Sequence, residues 1–525
     1  MNIDTSSTTP YDEVLYPVAV HVHTHPDRFA TVGTLRGMRP APIDRCRVLE
    51  LGCGVGSNLM SMAFNYPGSE FVGLDLAYRP VAAGQDSIAE FGLKNISLCH
   101  LDVCEANKER FGFFDYIIAH GLYSWVPQRV REHILAVCRE MLSPQGIAYI
   151  NYNAYPGNHL RDLARGIMRF HAGQFGSPLE KIRQARAVLK FLAESTPVPD
   201  AYTTALRSEF ERVVKYKDEA FFHDDLSGIN QPFYFHEFIS DAERHGLQFL
   251  GESSPNELDR EKLTAEVVAK LNELEGSSEI IREQYKDFVR GCGFRRTLLC
   301  HKEVQIAPNN IPERVAELYV SCDALPVQSA GDSKAAVFRR PNGAELETAH
   351  PLFVPTLEYI CAEWPCTVSF SALLDHGKPA TAGNAAIASF GSHAAWLAEA
   401  LLSAYQGGLL QLHAAPRLVV NKVSDHPISS PLARFQLKRS EYATSQIHKL
   451  VKIDDPLSRR LVELLDGKHD ETAITRSLLE FVSTGQVELR EDGALLTRPE
   501  QIEAAVRQRV PEVLKAFARE GLLVG

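Results

Sequence analysis

"CRVLELGCGVGSNL", residues 46–59, decides the fold. Val48, Leu49 and Leu51 make a short apolar strand, Gly52, Gly54 and Gly56 break it, and the spacing beyond predicts a helix to about Tyr66. Strand, glycine turn and helix open a nucleotide-binding βαβ unit. A dinucleotide fingerprint puts glycine at the last place of G-x-G-x-x-G, and here Ser57 stands there. The glycines run G-x-G-x-G instead, with Glu50 two residues ahead of them. A pyrophosphate gains nothing from that carboxylate, whereas a cationic ligand does.

The next strands add acids in the same place. "FVGLDLA" (71–77) ends in Asp75 and Leu76, and Asp75 is placed to accept from both hydroxyls of a ribose. "ISLCHLDV" (96–103) ends in Asp102 and Val103, with Asp102 suited to an adenine amino group. "FDYIIAHG" (114–121) delivers "HGLYSWVP" to the same edge of the sheet. Acids ending three successive strands, with no phosphate-binding Lys or Arg among them, point to S-adenosylmethionine. The bland alternative is a Rossmann-type sheet that holds another nucleoside or none.

Two aromatic loops would face the methyl end of that cofactor. Tyr123 and Trp125 follow strand four; Tyr152, Asn153 and Tyr155 follow strand five, "GIAYINYN" (146–153). Aromatic faces hold cations at about 0.5–2 kcal/mol each, and a stripped channel helps keep an attacking amine neutral. The competing reading is a well-packed pair of turns. His120 reads equally as a general base or as a hydrogen-bonded structural histidine. The N-P-P-Y tetrapeptide of amino-methyltransferases acting on adenine or glutamine is missing, which argues against base methylation. In "HVHTHP" (21–26), His21, His23 and His25 would share one face if extended. No carboxylate stands beside them at ligand spacing, so a lid over the cofactor is expected rather than a metal site.

Composition bounds the rest. The chain has 525 residues, 45% of them hydrophobic and 23% charged, so two to four domains are expected. Mean hydropathy is −0.15, and no apolar run approaches the roughly 18 residues a membrane span needs. The start, "MNIDTSSTTP", reads as no secretory signal. Ten scattered cysteines read as free thiols and point to the cytoplasm. A formal charge of −11 disfavours nucleic acid. A helical insertion is expected near 158–225 and a second helical segment near 257–290. A helix and strand over 235–252 and a last strand over 294–303 complete the sheet. Beyond, 321–334 reads as a linker, and helices are expected near 351–364, 384–405, 455–466, 470–484 and 498–520, with a short strand at 407–413.

A closer resemblance rests on "YDEVLYP" (11–17), "HP" (25–26), "LELGCGVGSNL", "HGLYSWVP", "NYNAYPG" (151–157), "FYFHEFISDAERHGLQFLGE" and "FRRTLLC". Together, over about residues 11–303, these resemble class I S-adenosylmethionine-dependent methyltransferases with a methyltransferase regulatory domain, including the rickettsial-type protein-lysine methyltransferases. The resemblance implies an α/β, Rossmann-like methyltransferase sheet with a helical insertion, then two smaller helix-rich, winged-helix-like domains. Expected boundaries are 1–304 (regulatory and dimerisation segment about 217–300), 305–415 and 416–525. It implies S-adenosyl-L-methionine bound by Glu50, Gly52, Gly54, Gly56, Asp75, Leu76, Asp102, Val103 and His120, with Tyr11 and Tyr16 in the lid. Tyr123, Trp125, His120 and Tyr155 would serve catalysis; Trp125, Tyr152, Asn153, Tyr155 and His159 would bind the acceptor. A protein substrate, such as an outer-membrane or surface protein, and a homodimer follow from the same resemblance. A small-molecule N- or O-methyltransferase and a cofactor-sensing regulator are the alternatives.

Overall fold

The computed structural model describes residues 9–17, 20–195, 200–254, 264–274, 278–327, 335–381, 393–485, 487–491 and 494–525. Two helices lead in, α1 (Pro10–Glu13) and α2 (Pro26–Leu35). Strands and helices then alternate: β1 (Arg47–Leu51), α3 (Ser57–Asn65), β2 (Glu70–Asp75), α4 (Tyr78–Phe91), β3 (Ile96–His100), α5 (Lys108–Phe111), β4 (Phe114–Ala119), α6 (Gln128–Met141) and β5 (Leu142–Asn153). After α7 (Asn158–Ala172), α8 (Pro178–Glu194), α9 (Ala201–Val213) and α10 (Asp218–Asp225), the chain returns through α11 (Phe235–Arg244) and β6 (Leu247–Glu252). Then come α12 (Ala265–Leu274), α13 (Glu279–Arg290) and β7 (Phe294–His301).

The seven strands form one sheet in the order β3-β2-β1-β4-β5-β7-β6, parallel except at β7. β1 is central and covered on both faces, which is why its residues 48–51 are all buried without alternation. One face packs Val48, Phe71, Tyr116 and Tyr149 against Phe29 of α2 and Leu59 of α3. The other packs Leu49, Ile117 and Ile150 against Ile134 of α6 and Phe238 of α11. β1 pairs with β2 on one side and β4 on the other, so strand order reverses there and a crevice opens at the carboxyl ends. That crevice holds the candidate site.

The insertion α7–α10 has its own core, including Met168, Leu189, Leu206 and Phe221. α13 is held to the sheet by Arg295 of β7, fully buried and paired with Asp287 (2.8 Å), Glu252 (2.9 Å) and Glu283 (3.4 Å).

The second half begins with β8 (Tyr319–Ser321), β9 (Leu325–Val327), β10 (Ala336–Arg339) and β11 (Glu345–Thr348). It continues through α14 (Phe353–Ala362), β12 (Val368–Ser369), α15 (Phe370–Thr381), α16 (His393–Gln406) and β13 (Gln411–His413). Two three-stranded sheets, β12-β8-β13 and β11-β10-β9, make this unit richer in strand than expected. Strands of two to four residues are too short to show a period of two. The last unit carries α17 (Pro431–Leu437), β14 (Tyr442–Thr444), β15 (Leu450–Lys452), α18 (Pro456–Leu464), α19 (Glu471–Ser483), β16 (Arg490–Glu491), β17 (Ala494–Leu495) and α20 (Pro499–Arg519). The middle and last units have separate hydrophobic clusters. The expected linker at 321–334, helical segment at 257–290 and helix at 384–405 each fall partly outside the described residues. Among the described residues, no helix is long and apolar enough to cross a membrane.

Candidate active site

The crevice starts with the glycine loop. Gly52, Gly54 and Gly56 all take left-handed backbone, with φ of 76°, 54° and 71°, a region open to glycine at no steric cost. At Gly56 a Cβ would also lie 2.7 Å from Leu98 Cδ1. Asp75 draws this loop to β2: its Oδ2 accepts from the Gly54 N–H (2.7 Å) and its Oδ1 from the Ala77 N–H (2.8 Å). Burial raises the pKa of Asp75 against the pull of those two donors. Each carboxylate oxygen keeps a lone pair for a hydroxyl. Asp102 accepts from the Cys104 N–H (2.9 Å) at the start of a short turn over Val103–Glu105. Leu76 beside Asp75 is 54% exposed and Val103 half-buried, so an apolar edge is open next to both acids.

Glu50 is the electrostatic centre. It is 4% exposed; Oε1 accepts from Asn58 Nδ2 (2.9 Å), while Oε2 is buried without a partner. Burial, reinforced by the charge of Asp75, pushes its pKa up to about 8. A buried acceptor left unpaired costs about 1–3 kcal/mol, and a cation set against Oε2 would remove that cost and return Glu50 to its ionised form. S-adenosylmethionine carries a sulfonium and an ammonium, so the residues present fit it: glycines for close backbone approach, and a buried acid for positive charge.

The N-terminal segment lies across this crevice. Asp12 of α1 accepts from the Arg79 N–H (3.0 Å) at the start of α4. Tyr11 stacks on His223, centroids 4.3 Å apart, and the Tyr16 hydroxyl lies 3.4 Å from both carboxylate oxygens of Asp224. Burial, then the charges of Asp224 and Asp75, raise Tyr11 to about 12; burial raises Asp224 to about 6. Tyr11 therefore lies within electrostatic reach of both acids. The three histidines of "HVHTHP" do not share a face, because Val22–Thr24 winds into a 3₁₀ turn that sends them apart. His21 stacks on His120 (3.8 Å), His23 Nδ1 lies 2.6 Å from Ser254 Oγ, and His25 Nδ1 accepts from the Asp27 N–H (3.2 Å) to cap α2.

His120 is held by its neighbours. Asn151 Oδ1 accepts from the Gly121 N–H (2.7 Å), which orients the amide and makes its Nδ2 the donor to His120 Nδ1 (3.0 Å). The Tyr149 hydroxyl lies 3.0 Å from the same nitrogen. Nδ1 is therefore the accepting nitrogen and Nε2 carries the proton. Burial, then His21, drives the His120 pKa well below its ordinary value.

Two expected pocket residues lie in the core instead. Tyr123 and Tyr152 are each 1% exposed; Tyr152 stacks on Phe238 (4.2 Å) and Tyr123 meets the same ring edge-on (5.2 Å). For Tyr152 the cause is the strand period of two: Asn151 and Asn153 share one face of β5, so Tyr152 between them points to the other; Tyr123, in the 3₁₀ turn after β4, packs onto the same cluster. Trp125 is half-buried, and its ring is approached by Arg165 (5.5 Å) and Arg161 (6.0 Å) of α7, which occupy it with the chain's own cations.

Asn153 Nδ2 donates to Asn230 Oδ1 (2.6 Å), Asn230 Nδ2 to Asp162 Oδ1 (3.2 Å), and the Tyr155 hydroxyl to Asp162 Oδ2 (3.0 Å). Exposed His159 stacks on Tyr155 (4.1 Å), with its Nε2 3.2 Å from the Tyr234 hydroxyl. Burial and then Asp162 raise Tyr155 to about 12. The structure thus joins Tyr155, His159 and Asn153 to Asp162, Asn230 and Tyr234. Sequence reasoning passed over the last three, along with Asn58, Asn151 and Asp224; Asn58, Asn151 and Tyr234 lay in blocks singled out, but no role was read for them.

Three family profiles match in succession: a methyltransferase domain over 49–148, the predicted methyltransferase regulatory domain over 217–301, and the PKMT C-terminal winged helix domain over 425–522. The uncharacterized protein RP028 of Rickettsia prowazekii (strain Madrid E) is 37% identical over 243 residues, covering 46% of this chain and 96% of the relative. The uncharacterized protein RP789 of the same organism is 29% identical over 531 residues, covering 98% and 94%. The solved structure of PKMT2 from Rickettsia typhi in complex with AdoHcy superposes at a TM-score of 0.84 and 26% identity, over 97% of this chain and 100% of that one. Glycine cradle, buried acid, regulatory segment and winged helix coincide along one chain, which belongs to the class I S-adenosylmethionine-dependent methyltransferases that carry a methyltransferase regulatory domain.

Proposed function

We propose that this methyltransferase modifies lysine side chains of a protein substrate in the cytoplasm. The observation that carries the reading is Glu50 Oε2, buried and unpartnered at the glycine loop, in a fold shared along its length with PKMT2. When bound, S-adenosylmethionine supplies an activated methyl group on a sulfonium. Glu50 would hold its positive charge, Asp75 its ribose and Asp102 its adenine, with Tyr11 and Tyr16 of the N-terminal segment over the crevice. Alignment of this kind is worth roughly 7–11 kcal/mol of barrier in well-oriented reactions, so the chain's task is chiefly to place and dry the acceptor. Tyr155, His159 and Asn153 guide the lysine, with Asp162 and Asn230 fixing their geometry. His120, with Nδ1 occupied, orients rather than abstracts a proton.

The separate cores support division into a methyltransferase unit over 1–304, a middle unit over 305–415 and a winged helix over 416–525. α7 exposes Leu160, Leu163 and Phe170, the last at 81%, and helical spacing sets them on one stripe. That stripe supports a homodimer.

Incubation with labelled S-adenosylmethionine and a cell extract rich in outer-membrane and surface proteins, followed by mass spectrometry of labelled peptides, tests the reading. Methyl-lysine is the expected product. Label confined to small molecules would overturn it in favour of a small-molecule methyltransferase.

A further inference from the structure

Asn58, on the first turn of α3, stands between Glu50 and a residue far along the chain. Its Nδ2 donates to Glu50 Oε1, and its Oδ1 faces the His21 N–H (3.3 Å), the Thr24 hydroxyl (3.1 Å) and His448 Nε2 (2.9 Å). A backbone N–H can only donate, so Oδ1 must face it; the amide has one orientation, and His448 Nε2 carries the proton. His448 Nδ1 is then the acceptor for Ser61 Oγ, 3.2 Å away. Asn58, Ser61 and His448 are all buried.

His448 belongs to the winged helix. It sits in the turn between β14 and β15, which the Ser445 N–H closes on Lys449 O (2.9 Å) and the Gln446 N–H ties to Gly521 O (2.8 Å). Among the described residues it is the one non-glycine with left-handed backbone, φ 56°, an uncommon region for any side chain, although Asn, Asp and His enter it more readily than others. Its ring makes its hydrogen bonds across the domain junction and meets His25 edge-on, centroids 5.0 Å apart. The surroundings select this conformation.

We propose that His448 is a positioning residue for the cofactor crevice: reaching in from the C-terminal domain, it fixes Asn58, which holds Glu50 with Oε2 free for the cofactor's positive charge. The proposal rests on the role given to Glu50 above. The winged helix is then part of the cofactor site, and by reciprocity a bound cofactor holds that domain in place.

Calorimetric titration of the full chain with S-adenosylmethionine tests this. His448→Ala should weaken binding roughly fivefold to tenfold, the loss of one well-placed hydrogen bond. His448→Gln, whose amide nitrogen reaches the Nε2 position, should return affinity to within about twofold of the unmodified protein. His448→Asn suits the left-handed turn but is too short to reach Asn58, and carries the same prediction should the alanine variant fail to fold. Arg439→Ala, which severs an exposed pair with Glu90 across the same junction, should leave affinity unchanged. 5′-Methylthioadenosine, which lacks both positive charges, should bind all variants alike. Equal losses for both ligands, no rescue by Gln, or unchanged affinity in the Ala and Asn variants would each overturn the proposal while the function stands. An unmodified protein that binds no S-adenosylmethionine would overturn the functional reading, and this inference with it.

Discussion

Glu50 holds a raised pKa because its surroundings remove water and provide one donor for two oxygens. A cation binds well only to its ionised form, so at neutral pH cofactor binding must expel a proton. Affinity should therefore weaken by up to about tenfold for each pH unit below 8. Calorimetry in buffers of different ionisation enthalpy should show proton release at pH 7 and little at pH 9. The ligand-free protein has the opposite dependence. Its folded-state pKa lies above the unfolded value, so this group's contribution is full below about 4.5 and is lost as pH rises through about 8. Glu50→Gln removes that loss: it should raise the stability of the free protein by on the order of 4 kcal/mol at pH 9 while weakening cofactor binding. Denaturant titrations at pH 6 and pH 9 check this: the gain should be clearly larger at pH 9, and equal effects at the two pH values would mean that Glu50 titrates as an ordinary carboxylate.

At the scale of elements, the end of β5 and the loops after β4 and β5 contain two kinds of aromatic residue that the sequence does not separate. Tyr123 and Tyr152 are core, and truncating either to Ala should cost about 3–5 kcal/mol of stability. Tyr155 lies half-buried between Asp162 and His159. Tyr155→Ala should lower kcat by about tenfold to a hundredfold through lost alignment and leave cofactor affinity close to that of the unmodified protein. Melting curves, titration and initial rates on the same three variants distinguish the cases; a Tyr155→Ala protein that loses stability but keeps kcat places it with the core residues. The alternating side of β5 was legible from "INYN", yet which side faces the crevice depended on α11 bringing Phe238 beneath Tyr152.

For the whole molecule, an exposed apolar stripe on α7 has to be explained. A solvent-facing Phe170 at 81% exposure contributes nothing to the monomer's own core. Phe170→Asp should convert a dimer to a monomer in sedimentation velocity at micromolar concentration, with the melting temperature of each protomer nearly unchanged. A monomer before substitution sinks the dimer.

The sequence by itself determined the sheet's opening turns and the cofactor class, because both rest on local chemistry. Three glycines with left-handed backbone and acids at successive strand ends need only their neighbours in the chain to be placed. The strands over 247–252 and 294–301 were legible for the same reason, each being long enough to show its pattern. Only the tertiary structure decided which aromatics are core, where the histidines of 21–26 point, and that Asn58 joins Glu50 to His448 across about 390 residues of chain. Such contacts leave no periodic mark in sequence. They are set by domain packing, where one buried donor meets one acceptor and no repeat announces the pair.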